Sequence, residues 1–255
     1  MCIRDRDSHG NVYFTDQPNN QILKWSFDGE LEVFVASSGR SNGLYFDTED
    51  NLYACSDALG QLWKIDSDKN IEILLKDFQG KRFNGPNDLW IDPKGGIYFT
   101  DPFYQRPYWK HTVPYLSTNN VYYLSPDRIV SKVATDLDQP NGIIGTSDGS
   151  TLYVSDIDRQ VTYSYQIEAN GGLNNQKLFV PMGSDGMTID EFGNVYLTGE
   201  GISVFDPDGK KIEHIKIEEP WTANVTFAGP KRDMLFITAS SAIYTIKMKV
   251  KGAHR

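Results

Sequence analysis

The sequence has few of the residues that build disulfide frameworks or transition-metal sites. Its 255 residues include only two cysteines, Cys2 and Cys55, and four histidines. Two cysteines make no disulfide framework, and no Cys-x-x-Cys or clustered Cys/His spacing indicates zinc. No nucleophile elbow with a Ser/His/Asp set is recognisable, which argues against a serine nucleophile. No run of about 18 apolar residues predicts a membrane-spanning helix, and no signal-peptide pattern is recognisable.

Positive charge is also scarce. The chain has 25 Lys and Arg against 34 Asp and Glu, a formal net charge of −9. An acidic surface repels phosphate backbones and anionic lipid, so we expect neither nucleic-acid nor membrane partners. We expect a soluble protein, cytoplasmic or periplasmic, that acts on a small molecule as a monomer or weak homo-oligomer.

A short pattern recurs along the chain: a turn, two or three β-forming residues, then a small or acidic residue. Its aromatic anchors are Tyr13, Tyr53, Tyr98, Tyr153, Tyr196 and Phe236. Most of their spacings match the roughly 40–45 residues of a four-stranded propeller blade. Six copies predict an all-β fold, a six-bladed β-propeller with four-stranded antiparallel blades, forming a single domain over residues 1–255.

A ring of side-chain oxygens is predicted from positions that lie eleven or twelve residues before these anchors. These positions hold Asn42, Asn87, Asn141, Asp185 and Asn224. Each begins the first strand of its repeat, the strand that lines the central channel of a propeller. Asn-Gly and Asp-Gly are common turn pairs, but a turn would accept residues without a side-chain oxygen. Hard cations prefer oxygen ligands, so we predict one divalent cation on the axis, Ca²⁺ first, with Zn²⁺, Mg²⁺ or Mn²⁺ as alternatives.

The sixth axial position falls on Cys2. Asp47, Asp92 and Asp190 follow their axial residues by five, and Asp7 follows position 2 by the same interval. Residues 1–6 have no strand pattern. We therefore interpret them as a non-native start and expect the N-terminus to be truncated.

Several motifs resemble the gluconolactonase/regucalcin (senescence marker protein) family of six-bladed propellers. They are Arg82-Phe83-Asn84-Gly85-Pro86-Asn87-Asp88-Leu89, Gln139-Pro140-Asn141-Gly142-Ile143, Ser184-Asp185-Gly186-Met187 and Asn224-Val225-Thr226-Phe227. The resemblance runs from about Asp7 to Gly252. It implies one divalent ion held by a Glu, two Asn and one Asp.

By this resemblance Asn141 and Asp185 are direct metal ligands, and Asn87 is a ligand or a substrate contact. The Glu falls at position 2, where this chain has Cys2. That departure lowers the metal affinity we expect of this chain.

The resemblance implies a metal-dependent lactonase that opens a sugar lactone at the central channel. Asp185, the only axial carboxylate, is assigned proton transfer as well as metal ligation, with Asp88 as the second candidate base or a turn carboxylate. Predicted substrate contacts are Arg82, Asn87, Asp88, Asn42 and Tyr104. Tyr104 lies in a long segment, 102–118, that is either a lid or a surface loop. Two alternatives stay open, a non-catalytic metal-stabilised binding propeller and a phosphotriesterase of the diisopropyl-fluorophosphatase type.

Overall fold

A computed structural model describes residues 4–253 of the chain. Within that range the regular structure consists of β-strands and one 3₁₀ turn, Asp57–Leu59. The axial prediction for Cys2 lies outside the described residues. No helix among the described residues is long and apolar enough to cross a bilayer.

The strands form six antiparallel sheets in chain order. Blade one holds β1 (Arg4–Arg6), β2 (Val12–Asp16), β3 (Gln21–Trp25) and β4 (Leu31–Val35). Blade two holds β5 (Ser41–Phe46), β6 (Leu52–Ser56), β7 (Gln61–Ile65) and β8 (Ile71–Leu75). Blade three holds β9 (Leu89–Ile91), β10 (Ile97–Asp101), β11 (Asn120–Leu124) and β12 (Val130–Ala134).

The second half continues the same order. Blade four holds β13 (Pro140–Gly145), β14 (Thr151–Asp156), β15 (Val161–Ile167) and β16 (Leu173–Val180). Blade five holds β17 (Met187–Ile189), β18 (Val195–Gly199), β19 (Gly201–Phe205) and β20 (Lys211–Ile215). Blade six holds β21 (Thr222–Ala228), β22 (Met234–Ala239) and β23 (Ala242–Lys247).

The blades close into a ring around their first strands. Each first strand contacts the first strand of the next blade, and β21 contacts β1. This confirms the predicted six-bladed propeller. Five blades have four strands, whereas blade six has three within the described part of the chain.

The recurring turn aspartates explain part of the repeat pattern. Asp190, which is 1% exposed, accepts hydrogen bonds from the backbone N–H groups of Phe192 and Asn194 and from the Asn194 side chain. The Tyr196 hydroxyl adds a fourth bond at 3.1 Å. Asp7 and Asp47 make the same set of contacts. Buried acceptors need such partners, so the aspartate, asparagine and tyrosine recur together.

Threonines of the second strands join neighbouring blades. Their Oγ1 atoms donate to backbone carbonyls at the start of the next blade: Thr15 to Asn42 (3.1 Å), Thr100 to Asn141 (2.9 Å) and Thr198 to Ala223 (3.2 Å). These bonds fix the position of each of these blades along the channel axis relative to the next blade. The axial residues are therefore held at a common level of the channel.

Candidate active site

The five predicted axial residues lie together at one end of the channel, which we call the axial mouth. Asn42, Asn87, Asn141 and Asn224 are all buried, with at most 4% of their surface exposed, and Asp185 is partly exposed. Each lies at or just before its inner strand, β5, β9, β13, β17 or β21. Their place at the inner strands follows the predicted register, and their roles as ligands or substrate contacts stay predictions.

The glycines that follow the axial residues allow the inner strands to approach closely. A Cβ atom on Gly43 would lie 2.6 Å from the carbonyl oxygen of Asn87, and one on Gly142 would lie 2.9 Å from that of Asp185. Both distances are far inside van der Waals contact. Gly43 and Gly142 lie within β5 and β13, so the Asn-Gly pairs serve strand packing rather than turns.

Two amide oxygens at the mouth are suited to a cation. The Oδ1 atoms of Asn87 and Asn141 are buried and have no hydrogen-bond partner in the described structure. Asn141 donates through Nδ2 to the Tyr104 hydroxyl at 2.9 Å, and its side chain also contacts the Asp185 carboxylate. A buried polar atom without a partner is costly, and a divalent cation coordinated by oxygen would remove that cost. No group of three or more His, Cys, Asp or Glu side chains in the described range could form a metal site.

Asp185 is the carboxylate of the mouth. Burial raises the pKa of Asp185 above the usual aspartate range, while the hydrogen bond from Trp221 and the charge of Arg106 oppose that rise. Trp221 donates through Nε1 to Oδ2 of Asp185 at 3.4 Å. The carboxylate thus has one indole partner and an amide neighbour, Asn141.

Buried aspartates at the ends of the second strands hold the loops that lead into the axial asparagines. Asp101, which is fully buried, accepts the backbone N–H groups of Asn84 at 3.0 Å and Gly85 at 2.7 Å. Burial raises the pKa of Asp101 to about 7, and the two amide bonds oppose that rise. Asp156 holds the loop before Asn141 in the same way.

The long segment between β10 and β11, residues 102–119, lies beside the mouth and is tied down along its length. We call it the lid loop. Asn84 bonds to the backbone of Leu116 in both directions, at 2.9 and 3.2 Å. The Asn119 side chain accepts from the backbone of Phe103, and the Gln139 side chain donates to the Phe103 carbonyl. These bonds make the lid loop a fixed wall of the mouth.

A single buried carboxylate anchors the tip of the lid loop. Asp57 is 2% exposed, and its Oδ2 accepts from Arg106 Nε at 3.0 Å, from the Tyr108 hydroxyl at 3.1 Å and from Gln17 Nε2 at 3.1 Å. Arg40 lies over the Tyr108 ring at 4.4 Å. Blades one, two and three therefore meet at this carboxylate.

The predicted substrate contacts divide into two groups. Asn42, Asn87 and Tyr104 lie at the mouth, as the contacts above describe. Arg82 instead donates to the Ala58 carbonyl and lies over the Tyr115 ring at 5.3 Å, beneath the lid loop. Asp88 lies one residue below the mouth, where its carboxylate accepts backbone N–H groups of Leu89 and Ile143. The substrate roles of all five residues stay predictions.

Two residues of the site, Arg106 and Trp221, were not singled out by the sequence reasoning. Arg106 lacks a recurrent spacing, since the clamp that joins it to Asp57 depends on the fold of the lid loop. Trp221 lies just before β21, three residues ahead of an axial position. The three-residue interval between Trp221 and Asn224 was the only sequence signal that could have pointed to Trp221.

The chain is similar to known proteins over most of its length. A model of the SMP-30/gluconolactonase/LRE-like region matches residues 2–241. A gluconolactonase of Zymomonas mobilis is 29% identical over 274 residues, covering 96% of this chain and 77% of that protein. The solved structure of a gluconolactonase from Xanthomonas campestris has a TM-score of 0.87 at 29% identity, covering 93% of this chain and 82% of that one. The diisopropyl-fluorophosphatase of Loligo vulgaris is 28% identical over 279 residues, covering 96% of this chain and 88% of that enzyme.

Proposed function

Because the chain belongs to the SMP-30/gluconolactonase/LRE-like family, we propose that it hydrolyses a sugar lactone at the axial mouth with the help of one divalent cation. The observation that carries this proposal is the pair of unpartnered, buried amide oxygens of Asn87 and Asn141, together with the contact between the Asn141 side chain and the Asp185 carboxylate. The likeness to two gluconolactonases supports the reaction class.

The cation would be held by oxygens of Asn87, Asn141 and Asp185, with Ca²⁺ preferred because it accepts irregular oxygen shells. When bound, such an ion supplies a Lewis acid for the lactone carbonyl. The resemblance places a Glu ligand at position 2, where this chain has Cys2. The Tyr104 hydroxyl accepts a hydrogen bond from Nδ2 of Asn141, which leaves Oδ1 of Asn141 available to the ion.

Asp185 performs the proton transfers. Its carboxylate accepts a proton from water as the water oxygen bonds to the lactone carbonyl carbon. It returns that proton to the ring oxygen as the bond between the carbonyl carbon and the ring oxygen breaks. The product is the open hydroxy acid, and Arg106 is placed beside Tyr104, 5.1 Å above its ring, to attract the new carboxylate.

The test is hydrolysis of D-gluconolactone by the purified chain, followed by base uptake at constant pH. Treatment with a chelator should abolish activity, and Ca²⁺, Zn²⁺, Mg²⁺ or Mn²⁺ should restore it in an order that identifies the metal. Asn141→Ala should weaken both metal binding and turnover. Asn174→Ala, at an exposed asparagine of blade four, is the matched control and should change neither.

A chain that binds the cation by calorimetry yet hydrolyses no sugar lactone would contradict the proposal. Cys2→Glu provides a second readout, since the added carboxylate should tighten cation binding. The likeness to the squid enzyme favours phosphotriester hydrolysis as the second candidate. A larger kcat/KM on diisopropyl fluorophosphate than on any sugar lactone would favour that alternative.

A further inference from the structure

Trp221 presents a large aromatic surface at the axial mouth. It lies in the connection between β20 and β21, directly before Thr222, and 45% of its surface is exposed. Its carbonyl accepts a hydrogen bond from the backbone N–H of Ser240 at 3.0 Å. The indole is therefore exposed, while its backbone is fixed to the neighbouring turn of the same blade.

The edge of this indole points at the proposed reaction centre. Nε1 of Trp221 lies 3.4 Å from Oδ2 of Asp185, and Asp185 contacts Asn141. A molecule whose carbonyl is close to Asp185 would therefore have the rest of its body within reach of the indole. On the other side of Asn141, the Tyr104 hydroxyl begins the wall made by the lid loop.

The aromatic rings of the lid loop already have covered faces. Arg106 lies 5.1 Å over the Tyr104 ring, and Arg40 lies 4.4 Å over the Tyr108 ring. Trp109 is stacked on His111 at 4.7 Å and is 9% exposed. Trp221, in contrast, has no ring–ring or cation–ring contact with any other residue in the described range. Its face is open to a ligand.

We propose that the ring of the substrate stacks on Trp221, and that this residue makes the chain selective for flat, ring-shaped sugar lactones. This inference rests on the proposed lactonase function. An aromatic face carries negative charge density, and the C–H groups of a sugar ring are polarised positively by their hydroxyl groups. The ring face therefore suits the indole, while the hydroxyl edges remain available to polar groups such as Arg106.

The experiment compares four variants of the full chain in calcium-containing buffer. Trp221→Ala removes the ring, Trp221→Leu keeps apolar bulk without a π face, and Trp221→Phe keeps a ring without the N–H. Phe192→Ala is the matched control, since Phe192 is 67% exposed in the turn at the opposite end of blade five. Binding of the lactam analogue of gluconolactone is measured by calorimetry, and KM and kcat are measured with the lactone.

Trp221→Ala and Trp221→Leu should raise the Kd for the lactam and the KM for the lactone by about three- to tenfold, the usual worth of an aromatic contact. Their kcat should match that of Trp221→Phe within about twofold, since all three variants lack the N–H that bonds to Asp185. Trp221→Phe should recover most of the affinity, and Phe192→Ala should match the parent. Equal thermal midpoints across the set exclude misfolding as the cause.

Three results would overturn the inference. If the parent hydrolyses the lactone but Trp221→Ala and Trp221→Leu bind the lactam equally well, stacking is wrong and the lactonase function stands. If all three Trp221 variants lose kcat at constant Kd, Trp221 acts only through its bond to Asp185. If the parent neither binds the lactam nor opens the lactone, the proposed function fails and the inference fails with it.

Discussion

The side-chain amide of Asn141 at the axial mouth uses its N–H and its oxygen differently. Asn141 donates through Nδ2 to Tyr104, which fixes the side chain and leaves Oδ1 buried without a protein partner. Groups that orient a metal ligand in this way commonly matter as much as the ligand itself. The hydroxyl of Tyr104 is thus a positioning group for a neighbouring blade.

Tyr104→Phe should lower both Ca²⁺ affinity and lactone kcat/KM by about 10-fold or more, because such partners are worth roughly 10–100-fold. Calorimetry with Ca²⁺ and steady-state kinetics provide the two measurements. Tyr244→Phe, on the outer strand of blade six, is the control. Unchanged Ca²⁺ affinity in Tyr104→Phe would show that the hydroxyl does not position Asn141.

The raised pKa of Asp101 leads us to expect that the stability of the fold depends on pH. Burial raises its pKa to about 7 from the usual 3.8, so the folded chain binds more protons than the unfolded chain between about pH 4 and 7. The contribution of this group to the free energy of unfolding therefore falls as pH rises through that window, by roughly 1–4 kcal/mol.

Asp101→Asn cannot titrate, so it should flatten that fall between about pH 4 and 7 while lowering stability at the acidic end of the window. The loss arises because Asn84 and Gly85 donate to different carboxylate oxygens, and in asparagine one of these positions is an NH2 donor. Urea unfolding at each pH, with constant m-values, measures both effects. An identical pH slope in the variant and the parent would contradict the assignment.

At the scale of elements, the tip of the lid loop depends on one anchor. Asp57 binds Arg106 and Tyr108 of the lid loop and Gln17 of blade one. Asp57→Ala should remove the acceptor that these donors share, cost about 1–3 kcal/mol of stability and raise the KM for the lactone. Hydrogen exchange of backbone amides in residues 104–110 should become faster.

Glu72→Ala is the control for this prediction. It breaks the Arg128–Glu72 ion pair, in which both side chains are more than half exposed, and exposed pairs of this kind contribute about 0–1 kcal/mol. Exchange in the lid loop should not change. Slow exchange retained in Asp57→Ala would show that the other bonds hold the loop without this carboxylate.

The strands were predictable because their pattern is local and repeated. Tyr13, Tyr53 and Tyr196 recur because each donates its hydroxyl to the aspartate of its turn. The axial asparagines recur since each inner strand begins at the same level. The mouth was only partly predictable. Arg82 stood in the conspicuous motif but lies beneath the lid loop, whereas Arg106 and Trp221 reach the site through connections whose course no periodicity describes.

At the scale of the whole molecule, a cation on the axis would tie separate blades together. Asn87, Asn141 and Asp185 belong to blades three, four and five, so binding would favour the closed ring over the unfolded chain. Ca²⁺ at about 100 times its Kd should raise the free energy of unfolding by about 3 kcal/mol. Denaturant unfolding with Ca²⁺ and with chelator measures the difference.

Asn87→Ala combined with Asn141→Ala should remove most of this gain, whereas Asn174→Ala should keep it. A gain of equal size in the double variant would place the stabilising ion elsewhere in the protein.

One connection breaks the near-regular geometry of the ring. The turns between second and third strands are short in the other blades, while the lid loop has 18 residues between β10 and β11. Its tip is anchored through the Asp57 contacts, so insertions or exchanges there leave the strand pairing of all blades intact. Sequence changes confined to the lid loop can therefore alter substrate preference while the axial ligands stay the same.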